Sequence, residues 1–289
     1  MVSVHQELAR TSVTRHRNRN DVYRHLFLLV VGVLVLFPYL LMLMWSFKDF
    51  NQFDHNQWVP TWPLHVDNFF GRTGAFFTIW RFILNTIFIA AVSAVGAVSV
   101  AALTAHVFAR FSFPGKETLF FLVIALLMIP GILTLVPQFI LIRGLGLFNT
   151  PWALIVPYIS GGQVFAIFIL RQFFAAIPEE LFEAARTDGA SEARAFLMIS
   201  VPLSQSILGV VTIMHVLHSW NDLIWPLVTL TSQSNFTLTL GLFAFRNENW
   251  TNWGPLFAGY VIASIPLLIL FALTSRLFVE GLASGALKL

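Results

Sequence analysis

The chain has 289 residues, of which 57% are hydrophobic and 11% are charged, and its formal net charge is +3. This apolar share is well above that of a soluble domain, and thirty Phe and nine Trp residues add more apolar bulk than one globular core buries. The composition therefore indicates a membrane protein. The chain contains no Cys, which excludes disulfides, a thiolate nucleophile and a Cys-ligated metal.

Residues 1–25 form a polar, basic N-terminal segment that carries five Arg residues, and a long apolar run follows at once. The run is too long for the hydrophobic region of a secretory signal, and no small-residue cleavage site follows it. We therefore expect a retained signal-anchor span. Nucleic-acid binding is an alternative role for the Arg residues, but membrane topology and contact with anionic lipid explain them better.

Six apolar segments have the length of about 20 residues that a helix needs to cross the hydrocarbon core. The sequence therefore predicts an all-α polytopic fold, with a transmembrane region over residues 26–278 and a C-terminal tail over residues 279–289. Asn221 and Asp222 interrupt the end of the fifth segment. The six predicted spans are Leu26–Phe47, Phe82–Phe108, Leu119–Ile142, Trp152–Phe174, Leu203–Leu227 and Trp253–Phe278.

The distribution of Lys and Arg along the flanks predicts the orientation of the spans. If the N-terminus is cytoplasmic, the inner segments hold twelve of the 17 Lys and Arg residues and the outer segments hold five. Both termini and the loop 176–202 are therefore predicted to be cytoplasmic. The outer segment 48–79 contains Trp58 and Trp62, and the outer segment 229–252 is rich in Thr, Ser and Asn and contains Trp250. Trp at these depths favours anchoring at the membrane–water interface.

The loop 176–202 concentrates the charge of the chain. Between Glu179 and Arg194, seven of sixteen residues are Asp, Glu or Arg. Pro178 is predicted to lie in the first turn of a short helix, Gly189 to end that helix, and Ser191 to cap a second one. The pattern alone is compatible with a solvated connector and with a docking element for another protein.

The stretch from Glu183 to Pro202 resembles the signature loop of ABC importer permeases. Its spacing is Glu-Ala-Ala, three residues, Gly, nine residues, Ile, one residue and then Leu-Pro, with Val201 in place of the Leu. Four further stretches are similar to the maltose-type subgroup of these permeases. They are ARFSFPGK (109–116), LGLFNTPWALIVPY (145–158), WNDLIWPL (220–227) and FVEGLASGALKL (278–289).

The resemblance has departures. His106 lies where a Tyr is usual in the subgroup, and Ser206 lies where a Pro is common. His215 and His218 are also atypical. These positions weaken any transfer of substrate identity from the family and leave the resemblance intact.

The resemblance implies a type I importer permease, located in a bacterial or archaeal cell membrane, that forms half of the translocation path for a sugar or oligosaccharide. Its expected partners are a dimer of cytoplasmic ATP-binding subunits, a second permease subunit and an extracytoplasmic solute-binding protein. No enzymatic activity and no cofactor of its own are expected, because the partner subunit binds the ATP. The residues implied to couple to the ATPase are Glu183, Ala184, Ala185, Asp188, Gly189, Ile199 and Pro202. The chain has no Walker A pattern, GxxxxGK[ST], which agrees with the binding of ATP by a partner subunit.

Polar residues inside predicted spans are candidates for the translocation path, because such groups are costly in a membrane and are often functional. Along the second span, packing between helices through small and polar residues is the favoured explanation. Trp220, Asn221 and Asp222 are equally compatible with lining the path and with capping a helix end. The candidate path residues are Asn85, Gln138, Trp220, Asn221 and Asp222.

Proline and glycine residues predict irregular helices within two spans. Pro130 and Pro137 predict a kink in the third span. Pro157 and the Gly161–Gly162 pair predict a kink in the fourth. Kinked helices expose backbone polar groups, and they do so where a cavity or path is lined.

Other functional classes are less compatible with the sequence. An ion-driven secondary transporter would favour midplane carboxylates, and the spans carry almost none. An intramembrane enzyme would need a catalytic motif, and neither HExxH nor GxSxG is present. His215 and His218 share one helical face and would suit a metal or a proton relay, but the lack of further ligands favours packing or hydrogen bonding. An ABC importer for a non-sugar solute, such as a polyamine or a phosphate sugar, is the nearest alternative.

Overall fold

The computed structural model describes residues 19–71, 75–248 and 252–286, and within these ranges the chain is helical and contains no β-strand. Most of the predicted basic N-terminal segment, and the end of the predicted tail, lie outside the described residues. The helices are α1 (Arg19–Trp45), α2 (Phe50–His55), α3 (Asp67–Phe70), α4 (Ala75–Arg110), α5 (Lys116–Ala125), α6 (Gly131–Gly144), α7 (Trp152–Ala175), α8 (Glu179–Thr187), α9 (Glu192–Ala195), α10 (Val201–Leu203), α11 (Gln205–Asn221), α12 (Ile224–Thr229), α13 (Leu238–Glu248) and α14 (Trp253–Ala286).

Four helices, α1, α4, α7 and α14, are long and apolar enough to cross a membrane by themselves. Two bent helix pairs pass the same test together. Lys116–Met128 and Gly131–Gly144 meet at 97°, and Glu192–Leu203 and Gln205–Asn221 meet at 81°. If each bent pair counts as one span, the described residues contain six candidate spans, in the order that the sequence predicts.

The predicted irregularities in the third and fourth spans have different outcomes. The third span breaks at Ile129 and Pro130, because the proline ring cannot donate the helical hydrogen bond and restricts the residue before it. Pro137 lies inside α6 without interrupting it. Pro157 also lies inside α7, which runs from Trp152 to Ala175 as one uninterrupted helix. The fourth span therefore has no break, the kink predicted at Pro157 stays a prediction, and the Pro157 side chain is buried in the packing around α7.

The ends of the last two spans also differ from the sequence boundaries. The fifth span ends at Asn221, short of the predicted Leu227, because Asp222 adopts an extended conformation and α12 begins separately. At the other end of the fifth span, the chain bends at Ser204. The last helix, α14, continues beyond the predicted end at Phe278 and into the predicted tail.

The core of the bundle is the contact between α4 and α7, which is the most extensive contact between two elements. Small residues of α4, including Ala97, Ala101 and Ala105, are completely buried there. Such residues allow two helix backbones to approach closely, as the sequence of the second span predicts. Helix α1 differs, because its apolar side chains are exposed and its main contact is with α14.

The segment between α1 and α4 forms an ordered cap at the end of α1. Lys48 is only 1% exposed, and its ammonium donates hydrogen bonds to the carbonyls of Asn56 and Val59 at 2.5 and 2.7 Å. Burial lowers the pKa of Lys48. Asp49 and Gln52 form a reciprocal capping box at the start of α2. The neighbouring Trp62 is 81% exposed, which fits the predicted interfacial role of the Trp residues in this segment.

Candidate functional site

The charged loop folds as two helices that meet at a glycine turn, as its sequence predicts. Gly189 has a φ of +77°, and hydrogen bonds from Gly189 to Arg186 and from Ala190 to Ala185 close the end of α8. A Cβ on Gly189 would meet no other atom within 4 Å, so this backbone conformation rather than space requires the glycine. The side chain of Ser191 caps α9 by accepting a hydrogen bond from the backbone of Arg194.

Two details of the predicted loop need correction. Pro178 lies at the cap position with extended backbone, and α8 begins one residue later, at Glu179. The second helix does not stop after one turn. It continues through a π-helical turn over Phe196–Ser200 into α10, because Pro202 lies within the first turn of α10, where a proline is tolerated. The loop therefore runs directly into the bend at Ser204.

Arg110, the last residue of α4, anchors α8 to the bundle. Its side chain is only 6% exposed, and its guanidinium lies 2.9 Å from the carboxylate of Glu179. The same group donates hydrogen bonds to the carbonyls of Phe174 and Ile177 at the end of α7. It also lies 4.1 Å from the ring centroid of Phe182. One side chain therefore joins α4, α7 and α8.

An aromatic cluster packs between the loop helices and the ends of α4 and α7. Phe182 of α8 is 1% exposed and packs against His106 of α4, at 6.1 Å between ring centroids. The His106 ring also contacts Phe174 and Phe196, and its Nδ1 lies 3.0 Å from the hydroxyl of Ser200. The atypical histidine thus contacts both helices of the loop and the end of α7.

The two loop helices are also joined to each other. Arg186 donates to the carboxylates of Glu179 and Glu192, at 3.0 Å in both cases. Hydrogen bonds to Glu192 and Glu179 raise the pKa of Arg186. Because all three side chains are about half exposed, water screens the pairs and each contributes little energy by itself. Their effect is to fix the angle between α8 and α9.

The residues of the signature spacing lie mostly on the outer face of this assembly. Glu183, Ala184, Asp188, Gly189 and Pro202 are exposed. Ala185 and Ile199 are partly buried, and Ile199 packs against the hydrophobic core below. The carboxylate of Glu183 makes no hydrogen bond or ion pair with any described residue. Leu181, on the same helix, is 44% exposed, so the outer face combines an unpaired charge with small and apolar side chains.

An open-sided cavity of about 780 Å³ lies between α6, α7 and α11. Aromatic side chains of Tyr158, Phe165 and Trp225 contribute to its wall. Its polar lining consists of hydroxyl, carboxamide and imidazole groups and one carboxylate. The polar lining residues are Thr134, Gln138, Tyr158, Ser160, His215, His218 and Asp222.

A family model described as the binding-protein-dependent transport system inner membrane component matches residues 97–284. The chain belongs to this family. It is 35% identical over 264 residues to the probable ABC transporter permease protein YurM of Bacillus subtilis, a match that covers 91% of this chain and 87% of YurM.

A second relative of this permease is the arabinooligosaccharides transport system permease protein AraQ of Halalkalibacterium halodurans. It is 33% identical, over 89% of this chain and 93% of AraQ. The fold is similar to that of a chain in the crystal structure of a bacterial ABC transporter involved in the import of the acidic polysaccharide alginate. That match has a TM-score of 0.75 at 20% identity, and it covers 92% of this chain and 98% of the other.

The structure of the permease separates the five predicted path residues. Gln138 and Asp222 line the cavity. Asn85 does not, because its amide donates to the carbonyls of Ser234 and Phe236 and so fastens the segment before α13. Trp220 is buried in a hydrophobic cluster with 6% exposure. The amide of Asn221 donates to the carbonyl of Leu217 in its own helix.

Asp222 lies at the start of α12 and at the wall of the cavity. One carboxylate oxygen caps α12 by accepting from the backbone of Trp225, and the other accepts from the hydroxyl of Tyr158 at 2.8 Å. The residue also faces the cavity. Sequence reasoning missed Tyr158, because a tyrosine in an apolar helix carries no signal that it bonds a residue 64 positions away.

The two atypical histidines of α11 have different environments. His215 is buried, and its Nε2 lies 3.1 Å from the hydroxyl of Ser93, as expected for a histidine in helix packing. His218 is exposed to the cavity, and its ring lies against Tyr158. Among the residues that the structure describes, no cluster of His, Asp and Glu could hold a metal ion.

Proposed function

We propose that this permease is one of two membrane subunits of an ABC importer and that it couples to a cytoplasmic ATPase through α8 and α9. The observation that carries the proposal is the anchored helix pair with an outward, unpaired Glu183. The helix pair α8 and α9, called the knob from here on, presents Glu183 among its exposed unpaired carboxylates, and such a charge suits docking to a basic residue of a partner. Ala184 and Gly189 beside it allow the partner's backbone to approach closely.

The contacts of the knob suggest how motion would reach the spans. A movement of α8 would be transmitted to α4 and α7 through Arg110 and Phe182, since both side chains are buried between these elements. A movement of α9 would be transmitted along the π turn and α10 to the bend at Ser204. ATP-driven closure of the ATPase would then change the packing on both sides of the cavity. In this proposal the loop and both termini are cytoplasmic, and a solute-binding protein delivers the solute from outside.

We propose a sugar or oligosaccharide as the solute. The relative AraQ is named for arabinooligosaccharides. The cavity suits such a solute, because aromatic faces and hydroxyl, amide and imidazole groups lie together in its wall. A second permease subunit would supply the opposite wall.

The experiment is a mild-detergent pull-down of the tagged permease from its native membrane, with mass spectrometry of the co-purifying proteins. We expect a Walker-motif ATPase, a second permease and a solute-binding protein. Glu183→Lys should lose or weaken the ATPase and abolish ATP-driven uptake, since like charges would then meet at the interface. Glu180→Lys is the matched control, because Glu180 is exposed on the same helix and lies outside the signature spacing.

Two results would contradict the proposal. One is normal uptake and normal ATPase recovery with Glu183→Lys in a protein that inserts normally. The other is recovery of the permease alone in a form that still transports without ATP, which would favour an ion-driven carrier. A complete complex that transports polyamines or phosphate sugars, but none of a panel of saccharides, would retain the coupling proposal and reject the sugar.

A further inference from the structure

The wall of the cavity carries polar groups that have no partner among the residues that the structure describes. The carboxamide of Gln138 and the imidazole of His218 make no hydrogen bond with any described residue, although both face the cavity. By contrast, the hydroxyls of Thr134 and Ser160 donate to carbonyls of their own helices. Polar groups held on helices within a membrane-spanning region are costly unless they have a hydrogen-bond partner.

The unpaired groups come from different helices and lie around the same space. Gln138 is on α6, after the break at Pro130, and His218 is on α11. Helix α7 adds Gly161 and Gly162, which carry no side chain, and the aromatic rings of Phe165 and Tyr158 to the same wall. Amide, imidazole and aromatic groups in one cavity match the hydroxyls and the apolar faces of a sugar ring.

The charged groups of the described cavity wall are negative and not balanced by a Lys or Arg. Among the described residues that line the cavity there is no Lys and no Arg, and Asp222 is the single carboxylate. Arg110 and Arg171, the basic residues at the ends of α4 and α7, are instead paired with Glu179 and Glu117. An anionic solute would therefore meet a carboxylate and no compensating cation in a region of low dielectric constant, where the repulsion is strong.

We infer that this subunit itself contacts the solute, through Gln138 and His218, and that its half of the path selects uncharged saccharides over acidic ones. The inference rests on the proposed function and adds to it a contact site and the charge class of the solute. The inferred solute of this permease therefore differs in charge from that of the alginate importer with a similar fold, whose solute is an acidic polysaccharide.

The absence of Cys in the chain permits a direct test by single-Cys labelling. The complete complex, purified in detergent at pH 8 where imidazoles in water are neutral, would carry Gln138→Cys or His218→Cys. Gln57→Cys, in the exposed segment outside the bundle, is the control. Labelling rates are measured by mass spectrometry of this subunit with a cationic and an anionic methanethiosulfonate reagent of similar size.

We expect the cationic reagent to label the two cavity variants roughly tenfold faster than the anionic one, after correction by the ratio at the control. Adding Asp222→Asn should reduce this preference. Millimolar arabinotriose should slow labelling of both cavity variants and leave the control unchanged. Trimannuronate at the same concentration should give little protection.

Equal or faster labelling by the anionic reagent, or equal protection by trimannuronate, would overturn the selection for uncharged saccharides. Absence of protection by arabinotriose, in a complex that transports it, would overturn the contact through this subunit. Gln138→Ala and His218→Ala provide a further measurement, because unchanged uptake of a transported saccharide by both would also overturn that contact. None of these results alters the pull-down, so the failure of this inference is distinguishable from the failure of the proposed function.

Discussion

At the scale of single residues, Arg110 makes the most varied set of contacts in the region of the loop. It combines an ion pair, two carbonyl contacts and an aromatic contact. Its motif position, in ARFSFPGK, indicates only that it ends a span. The partners Glu179 and Phe182 lie about seventy positions away along the chain, so the sequence alone could not pair them.

We predict that Arg110→Ala loosens the knob while the bundle still forms. Removing one partner from a fully buried ion pair costs about 3–5 kcal/mol, and we expect about 2 kcal/mol here because Glu179 is half exposed. The free energy of unfolding of the detergent-solubilised complex, and the rate of proteolysis within residues 176–190, are the measurements. The variant should lower the free energy of unfolding and raise the rate of proteolysis.

Arg194→Ala is the control for this prediction. Its side chain is exposed and contacts the sulfur of Met198. We expect a change of stability within about 0.5 kcal/mol. If the two variants behaved alike in both measurements, Arg110 would not be the anchor of α8.

The site residues illustrate which features sequence reasoning recovers. Gly189 and Ser191 were predictable, because a helix end and a cap depend on neighbouring residues. Asn85 and Trp220, two of the candidate path residues, do not line the cavity, because Asn85 fastens the segment before α13 and Trp220 is buried in a hydrophobic cluster. An intramembrane polar or aromatic residue gives the same sequence signal in a path as in packing, so their role in the path stays a prediction. The two roles differ only in which group the side chain contacts, and tertiary structure determines that contact.

At the scale of helices, the approach of α7 to α11 depends on Gly162. A Cβ at this position would lie 2.5 Å from Nδ1 of His215, whose ring is fixed by its bond to Ser93. The adjacent Gly161 would meet nothing within 4 Å. Two neighbouring glycines of one helix therefore have different physical roles, although the sequence marks them equally.

We predict that Gly162→Ala destabilises the permease by about 1–3 kcal/mol, because the added methyl forces His215 or the helix to move. Gly161→Ala should instead be neutral or stabilise by up to about 1 kcal/mol, because alanine is the better helix former. Thermal unfolding of the two purified complexes measures the difference. Equal destabilisation by both substitutions would show that helix packing at Gly162 is not the cause.

The elements themselves were largely predictable, but their breaks were predictable only in part. Each of the six apolar segments corresponds to a helix or to a bent helix pair. The break at Pro130 follows from local chemistry. The bend at Ser204 and the continuity of α7 through Pro157 depend on what packs against these residues, so the apolar pattern gave no reliable guide to either.

At the scale of the whole molecule, much apolar surface lacks a partner within the chain. The apolar side chains of α1, and those of α6 such as Leu133 and Val136, are more than half exposed in many cases. Surface of this kind suits lipid or another membrane subunit, and it would be unstable in water. A chain with this exposed apolar surface and a cavity open on one side suits half of a translocation path.

The charge asymmetry of the sequence predicts the orientation of the molecule, and this prediction can be tested because no native Cys interferes. We predict that Glu180→Cys, on the knob, reacts with a membrane-impermeant maleimide in inside-out vesicles and not in intact cells. Gln57→Cys, in the segment after α1, should show the opposite pattern. Both positions are exposed, so accessibility to water does not differ between them.

Labelling after permeabilisation is the control, since both variants should then react. The reverse pattern in sealed preparations would place the knob on the outer face, where no ATPase could reach it, and would reject coupling through α8 and α9. Labelling of both variants from one side would mean that the number of spans between residues 57 and 180 is even. The third span would then be the first to reconsider, because its two helices meet at 97° and the pair could enter and leave the membrane on one face. The measurement therefore tests the six-span topology together with the direction of the knob.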